Sequence, residues 1–266
     1  MIFRYHNTIH VSHGLRCLLT LLAVIILSPA LCSVGRADAR PRNKELNRQY
    51  ADQKPIHLGF SVGAHFQDLS FTHNGYVTPD GQQWVAEVPA FSPGFCVNVL
   101  GDLRLHRYLN LRLSPGMYFG SKTAEMIDYN NPNPTLNPDN GFPSRVQQTI
   151  KSAYVVVPVD LKISGDRQTN VRPYVTVGAM ASFDVSKKRA DYLTFNTADA
   201  YLTVGLGCDF YLPFFKFIPE IKFCFGLTDI LKHDRPDLVD NPHQYIMTQS
   251  LKKVKSNMVV INFYFE

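Results

Sequence analysis

The sequence predicts an all-β protein, an eight-stranded antiparallel transmembrane β-barrel, from three observations. Apolar and polar residues alternate with a period of two through long segments, as in β-strands with two different faces. A segment of about a dozen residues is longer than a usual soluble strand of about 5–6 and matches the roughly 9–11 residues that cross a bilayer. The connections between segments are alternately long and short, as in outer-membrane barrels. This pattern predicts four long external loops and short periplasmic turns.

The N-terminal residues have the layout of an export signal. An apolar run of about 16 residues, Cys17–Cys32, follows Arg4 and Arg16. A membrane-spanning helix needs ~20 residues, and the small residues at Ala37-Asp38-Ala39 form a possible cleavage site. We therefore expect a signal peptide over residues 1–39, with a retained N-terminal anchor as the alternative.

The next segment, residues 40–55, is polar and mixed in charge, with proline near both ends. We expect a flexible periplasmic arm whose basic residues contact a partner or are simply solvated. The barrel itself is expected over residues 56–266, with both termini in the periplasm of an outer-membrane protein.

Each predicted strand rests on the same two-residue alternation, and loops rich in Asn, Pro, Gly or charge separate the strands. The longest loop, 121–149, contains the sequence YNNPNPTLNPDNGFP. Pro158 and Pro219 remove backbone donors within strands, which predicts local bulges. The predicted strands are Ile56–Phe71, Ala90–Leu100, Tyr108–Gly120, Ser152–Ser164, Val171–Asp184, two strands within Asp199–Leu231 that flank Leu212-Pro213-Phe214, and Val254–Glu266.

The apolar faces are expected to contact lipid, so the opposite faces line the lumen. An eight-stranded barrel has an interior that side chains can fill, and charges buried there must pair. We therefore predict a salt-bridged lumen rather than an aqueous pore. The predicted charge network comprises Arg112, Asp160, Lys162, Asp184, Asp199, Asp209, Glu220 and Lys222, with Lys216 on the same inward faces.

The overall charge and the cysteines argue against a nucleic-acid-binding protein and against a disulfide-stabilised protein. Without residues 1–39 the chain has 24 basic and 21 acidic residues, a net charge of +3, which gives no argument for nucleic-acid binding. Three cysteines remain: Cys96, Cys208 and Cys224. Because the alternation places Cys208 outward and Cys224 inward, we expect free thiols rather than a disulfide framework.

No catalytic, cofactor-binding or metal-binding site is predicted. The sequence lacks the Gly-x-Ser-x-Gly, His-Glu-x-x-His, phosphate-loop and Cys-x-x-Cys motifs. Asp199 and Asp209 could form an acid–base pair, but a role as charge partners in the lumen is the stronger interpretation. His73, His233 and His243 lie in long loops and leave an enzyme at the barrel rim as a minor alternative.

The strands resemble the PorT family of Bacteroidetes outer-membrane proteins, which belong to the type IX secretion system. The matching blocks are LGFSVGAHFQDLSF at 58–71, PGFCVNVLGDLRLHRYLNLRLSPGMYFG at 93–120, KSAYVVVPVDLK at 151–162, NVRPYVTVGAMASFDV at 170–185 and GLGCDFYLPFFKFIPEIKFCFGLTDIL at 205–231. The order of the blocks and the FKF-x-PE-x-K motif are the most specific features.

The resemblance implies an outer-membrane barrel that supports export of proteins with C-terminal sorting domains. The implied partners are other type IX secretion components in the outer membrane or periplasm, together with outer-membrane lipid. It implies no catalytic residue. The alternatives are a small barrel that mediates adhesion or ligand binding through its surface loops and, less favoured, the rim enzyme.

Overall fold

The computed structural model describes residues 46–77, 83–88, 92–130, 145–186, 193–232 and 250–266. The predicted signal peptide and the arm before Leu46 lie outside these residues. None of the described helices is long and apolar enough to cross a membrane. A short 3-10 helix, Ala51–Gln53, precedes the first strand. The described strands are β1 (Ile56–His73), β2 (Trp84–Glu87), β3 (Ser92–Arg104), β4 (Leu109–Leu113), β5 (Gly116–Asp128), β6 (Arg145–Ser164), β7 (Val171–Asp184), β8 (Ala198–Tyr211), β9 (Lys216–Gly226) and β10 (Leu251–Phe265).

The strand pairings form a closed ring. β1 pairs antiparallel with β10 on one side and with β3 on the other. β4 and β5 both pair with β3 and with β6, so they form one interrupted barrel strand. The remaining neighbours along the chain, from β6 to β10, pair in sequence order. The short β2 pairs only with the far part of β5. The predicted eight-stranded antiparallel barrel is therefore confirmed.

The predicted bulges at the two prolines are wrong. The register of β6 is the same on both sides of Pro158, which lies opposite the break between β4 and β5 at Ser114-Pro115. Pro219 lies in a short gap in the pairing of β8 with β9, again without a change of register. A missing backbone donor therefore interrupts the hydrogen bonding locally and requires no extra residue.

The connections define two different ends of the barrel. At the turn end lie the connections 105–108, 165–170 and 212–215, together with the start of β1 and the end of β10. At the loop end lie the connections 74–91, 129–144, 185–197 and 227–250. The predicted alternation of long and short connections is thus confirmed. β2 lies within the first predicted loop, and β5 and β6 extend well into the segment 121–149, which was expected to be a loop.

Near the turn end, apolar side chains cover the outside of the barrel and polar side chains occupy the inside. On β6 the outward residues from Ala153 to Ile163 are apolar, a span of 11 residues that matches the roughly 9–11 needed to cross a bilayer. The inward Asp160 and Lys162 of the same strand are almost completely buried. This arrangement is the one predicted for a lipid-facing wall around a polar lumen.

The polarity of the two faces reverses toward the loop end. Beyond Ala153 the outward residues of β6 are Lys151, Thr149, Gln147 and Arg145, all exposed. On the inside, an apolar cluster replaces the polar lumen. At 3.3 Å per residue and the usual strand tilt, this part of β6 extends roughly 20 Å beyond the apolar band. The buried cluster contains Leu69, Trp84, Ala86, Ala124, Met126, Val146, Leu193, Phe195, Ile230, Leu231, Leu251 and Val254.

Candidate functional site

A network of ion pairs occupies the lumen near the turn end. Arg112 of β4 donates to Glu220 of β9 (2.8 Å) and to Asp102 of β3 (3.3 Å). Lys222 continues the chain, with its Nζ 3.3 Å from Glu220 and 2.5 Å from Asp160 of β6. These five side chains are at most 2% exposed. The network joins four different barrel strands across the interior.

A second group of charges lies closer to the turn end. Lys162 donates to both carboxylate oxygens of Asp209 at 2.8 Å. Lys216 lies 3.4 Å from Asp209 and 3.1 Å from Glu266. His57 Nδ1 is 2.7 Å from the other Glu266 oxygen. The chain of contacts from Lys162 to His57 therefore joins β6, β8, β9 and β1 to the residue that follows β10.

Glu266 remains ionised although it is buried. Burial raises the pKa of its carboxyl, but the hydrogen bond to His57 and the charges of Lys216 and Lys162 outweigh burial, so its pKa lies well below the usual range. The carboxylate therefore favours its ionised form between Lys216 and His57.

Aromatic side chains shield the first network. Tyr174 donates its hydroxyl to Glu220 at 2.8 Å. The Arg112 guanidinium carbon lies 5.1 Å from the Tyr174 ring centre and 5.0 Å from that of Tyr264, within the range of cation–π attraction. Lys162 Nζ lies 4.1 Å from the Tyr174 ring centre. The rings cover the buried cations and add favourable cation–π contacts.

Further side chains fill the lumen between the charges and the loop end. One buried cluster surrounds Tyr118 and Met180, and it is followed by the apolar cluster at the loop end. His65, 1% exposed, stacks on the Tyr118 ring with 5.2 Å between ring centres. The described side chains thus occupy the interior at successive levels along the barrel axis.

Six of the eight residues in the predicted charge network come together: Arg112, Asp160, Lys162, Asp209, Glu220 and Lys222, with Lys216 also present. Asp184 and Asp199 lie elsewhere. Asp184 accepts hydrogen bonds from the backbone and hydroxyl of Ser186, and Asp199 is hydrogen-bonded to Thr228. Both line a small cleft near the loop end that also contains Lys122 and Phe195.

The sequence analysis missed three network members: Asp102, His57 and Glu266. Asp102 belongs to β3, which continues to Arg104 beyond its predicted end at Leu100. The two-residue alternation, continued two residues beyond Leu100, places Asp102 inward. His57 lies on the inward face of β1 and Glu266 ends the predicted strand Val254–Glu266, but neither is among the predicted charges.

The structure does not bring together an acid–base pair. Asp199 and Asp209 lie near opposite ends of β8, and Asp209 is enclosed by two lysines. His73 Nε2 accepts a hydrogen bond from the backbone of Ala86. His233 and His243 lie outside the described residues. Within the described ranges, no three His, Cys, Asp or Glu side chains are arranged to hold a metal ion. Cys96, Cys208 and Cys224 are free thiols, as expected.

Residues 46–54, which precede β1, cross the turn end. Asn47 receives a hydrogen bond on its backbone carbonyl from Arg167 and donates through its side chain to the Tyr211 carbonyl (3.0 Å). Arg48 donates to the Glu266 carbonyl at 3.0 Å. We call residues 46–54 the N-terminal strap. Polar side chains of the turns contact these residues, and the flexibility of the arm stays a prediction.

Asp52 anchors the strap. It accepts a hydrogen bond of 2.5 Å from the Tyr211 hydroxyl. It also lies 3.7 Å from Arg167 and 3.5 Å from Arg172. The Arg167 guanidinium stacks over the Tyr211 ring, 3.6 Å from its centre. The strap is therefore held by charged and polar contacts to the β6–β7 turn and to the end of β8.

A family model described as an outer membrane protein beta-barrel domain matches residues 43–232. The chain belongs to this family. It is accordingly an outer-membrane β-barrel protein, in agreement with its closed ring of strands and its apolar outer wall. No curated protein sequence matches the chain.

Solved structures of small outer-membrane barrels are similar to this member of the family at low identity. Neisserial surface protein A is 11% identical, with a TM-score of 0.40, over 79% of this chain and 98% of that chain. Ail, the attachment invasion locus protein of Yersinia pestis, is 10% identical, with a TM-score of 0.34, over 80% and 98% of the two chains. A second structure of Ail contains the heparin analogue sucrose octasulfate. Similarity at this level transfers no binding property to the present chain.

Proposed function

We propose that this outer-membrane barrel is a non-enzymatic, non-conducting component of the type IX secretion system. It supports export of proteins with C-terminal sorting domains by contacting other secretion components in the outer membrane or periplasm. The turn end, with both ends of the barrel domain, faces the periplasm, because short turns lie on that side of outer-membrane barrels.

The filled lumen carries this proposal. Buried ion pairs and aromatic rings occupy the part of the barrel inside the apolar band, and an apolar cluster occupies the loop end. A barrel filled in this way offers no path for an exported protein, so it acts through its surfaces. The resemblance of its strands to the PorT family supports the type IX secretion system as the place where those surfaces are used.

Deletion of the gene tests the role in secretion. We expect proteins with C-terminal sorting domains to disappear from the medium and to accumulate inside the cell, with complementation by the full chain. Normal secretion in the deletion strain would overturn the proposal. The purified barrel in planar bilayers should show no steady, large conductance, and such a conductance would contradict the filled lumen.

The second candidate function is adhesion or ligand binding at the cell surface. It is favoured by the length of the strands, because β5 and β6 raise the loop end roughly 20 Å beyond the apolar band. The described loop residues Tyr76, Val77 and Tyr129 are exposed there. Loss of attachment to host cells or matrix in the deletion strain, with secretion intact, would support this candidate instead.

A further inference from the structure

We infer that the turn end carries a docking surface for a periplasmic protein segment in which carboxylates lie beside apolar side chains. The surface consists of the N-terminal strap and the three short turns. This inference rests on the proposed function and specifies which part of the barrel contacts a partner. The observations that carry it are the path of the strap, the apolar side chains exposed on it and the charge around them.

The strap crosses the mouth of the barrel. It enters β1 at Ile56, and its contacts lie on Asn170 beside β7, on Tyr211 at the end of β8 and on Glu266 after β10. In the ring of eight barrel strands, β7 lies opposite β1. Ala51 of the strap is buried, so one side of the strap packs on the barrel and the other side faces away from it.

Large apolar side chains lie on the free side. Tyr50 is 71% exposed and Leu46 is 48% exposed although their backbone is fixed. Phe214, in the turn between β8 and β9, is 92% exposed, the highest exposure of any large apolar side chain among the described residues. Exposed aromatic residues on a fixed backbone are typical anchors of protein interfaces, because little conformational entropy is lost on binding.

The charge around these side chains is positive. The cations at this end that are described and not buried include Arg48, Lys54, Arg104, Arg107 and Arg167. Two carboxylates near them that are not buried are already engaged, Asp52 by Arg167 and Asp166 by Arg107. Lys54 and Arg104 have no carboxylate within 4 Å in the described part of the chain. A partner with Asp or Glu residues therefore complements the surface, and this attraction decreases with salt.

A protein partner fits the surface better than phospholipid does. Phospholipid headgroups surround the barrel outside the ring of strands, where the apolar wall lies. The contacts of the strap on Asn170, Tyr211 and Glu266 carry it across the mouth inside that ring. An anionic lipid can reach the rim residue Arg107, but only a periplasmic protein can contact the whole strap.

Site-specific photocrosslinking in living cells tests the inference. A benzophenone amino acid replaces Tyr50 or Phe214, and the control position is Tyr129, which is 65% exposed at the loop end. We expect Tyr50 and Phe214, but not Tyr129, to crosslink to the same protein, through a peptide that contains Asp or Glu beside apolar residues. Crosslinks to phospholipid alone, or no crosslink at either position, would overturn the inference.

Charge reversal provides the second measurement. Lys54→Glu combined with Arg104→Glu should reduce the crosslinking yield at least tenfold, whereas the matched pair Lys252→Glu and Lys255→Glu at the loop end should leave it unchanged. Heat-modifiable gel migration verifies that every variant is folded. An unchanged yield in the folded Lys54→Glu, Arg104→Glu variant contradicts the docking surface.

Different results would contradict the secretion role and the docking surface. If the deletion strain loses secretion while the Lys54→Glu, Arg104→Glu variant secretes normally, the secretion role stands and the docking surface is wrong. If the deletion strain itself secretes normally, the secretion role is wrong, whatever the crosslinking shows.

Discussion

Arg112 combines complete burial with several charged and aromatic contacts. Its guanidinium is completely buried, pairs with Glu220 and Asp102, and lies between two tyrosine rings. Removing one partner of a buried ion pair is costly because the other charge remains without compensation. The charges in the lumen therefore depend on one another, and the loss of a single member affects the stability of the whole barrel.

Arg112→Met should lower the free energy of unfolding by about 3–5 kcal/mol, because Asp102 stays buried without its cation and Glu220 keeps only Lys222 as a cation. Urea unfolding in detergent micelles, followed by gel migration, measures the change. Adding Glu220→Gln should restore part of the loss. Arg107→Met, which disrupts the exposed pair with Asp166, is the control and should have little effect. Equal stability of the Arg112 and Arg107 variants would contradict the buried network.

Two glycines of β3 provide a matched pair of substitutions, one crowded and one open. A Cβ at Gly94 would lie 2.5 Å from the Phe119 carbonyl oxygen and even closer to the His65 ring, whereas a Cβ at Gly101 would meet nothing nearer than 3.7 Å. Gly94→Ala should therefore destabilise the barrel by about 1–3 kcal/mol through overpacking. Gly101→Ala should be nearly neutral in the same unfolding experiment. Reversed effects would mean that His65 does not pack over Gly94.

At the scale of elements, the alternation of residues predicted strands well where one face was lipid and the other polar. It ended the third strand at Gly120 and began the fourth at Ser152, although β5 continues to Asp128 and β6 begins at Arg145. The reason is the change of polarity near Lys151, beyond which the outward face of β6 becomes polar and an apolar cluster lies inside the barrel. The alternation expected for a lipid-facing strand therefore does not predict the part of the same strand that lies beyond the apolar band.

The strap shows a different limit, because its sequence has no regular period and its order comes from distant residues. Asp52→Ala removes the acceptor for Tyr211 and the carboxylate beside Arg167 and Arg172. Loss of such contacts lowers the free energy of local opening by about 1–3 kcal/mol. Trypsin cleavage after Arg48 in the folded barrel should become roughly tenfold faster, since about 1.4 kcal/mol corresponds to a factor of ten.

The exposed Gln53→Ala is the control for this experiment and should leave the cleavage rate unchanged. If Asp52→Ala cleaves no faster than the control, Asp52 does not anchor the strap.

For the whole molecule, the sequence was sufficient for the architecture and for most of the lumen charges, because a closed barrel with alternating faces has few possible arrangements. The exceptions are informative. Asp184 and Asp199 point inward by the alternation but lie too close to the loop end to reach the network. The alternation assigns a face, and only the register between strands assigns a level along the axis.

The reversal of polarity also predicts where the bilayer ends. Thr149 and Val159 both face outward on β6 and are exposed on the isolated barrel. In liposomes, Thr149→Cys should react with a membrane-impermeant maleimide, whereas Val159→Cys should be protected by lipid. The Cys208→Ala background removes the outward native thiol, and both sites should react after denaturation. Labelling of Val159→Cys in intact liposomes would place the membrane boundary elsewhere.

The path of the strap has a consequence for the order of folding. Its contacts join residues separated by 123, 164 and 218 positions along the chain. Contacts between such distant residues form late, because the entropy of closing the intervening loops must be overcome first. The strap can bind only when β7, β8 and β10 are in place, so its docking marks the completion of barrel assembly. Until then, the contacts that hold the strap across the turn end are absent, and the segment next to β1 is more accessible than in the finished barrel.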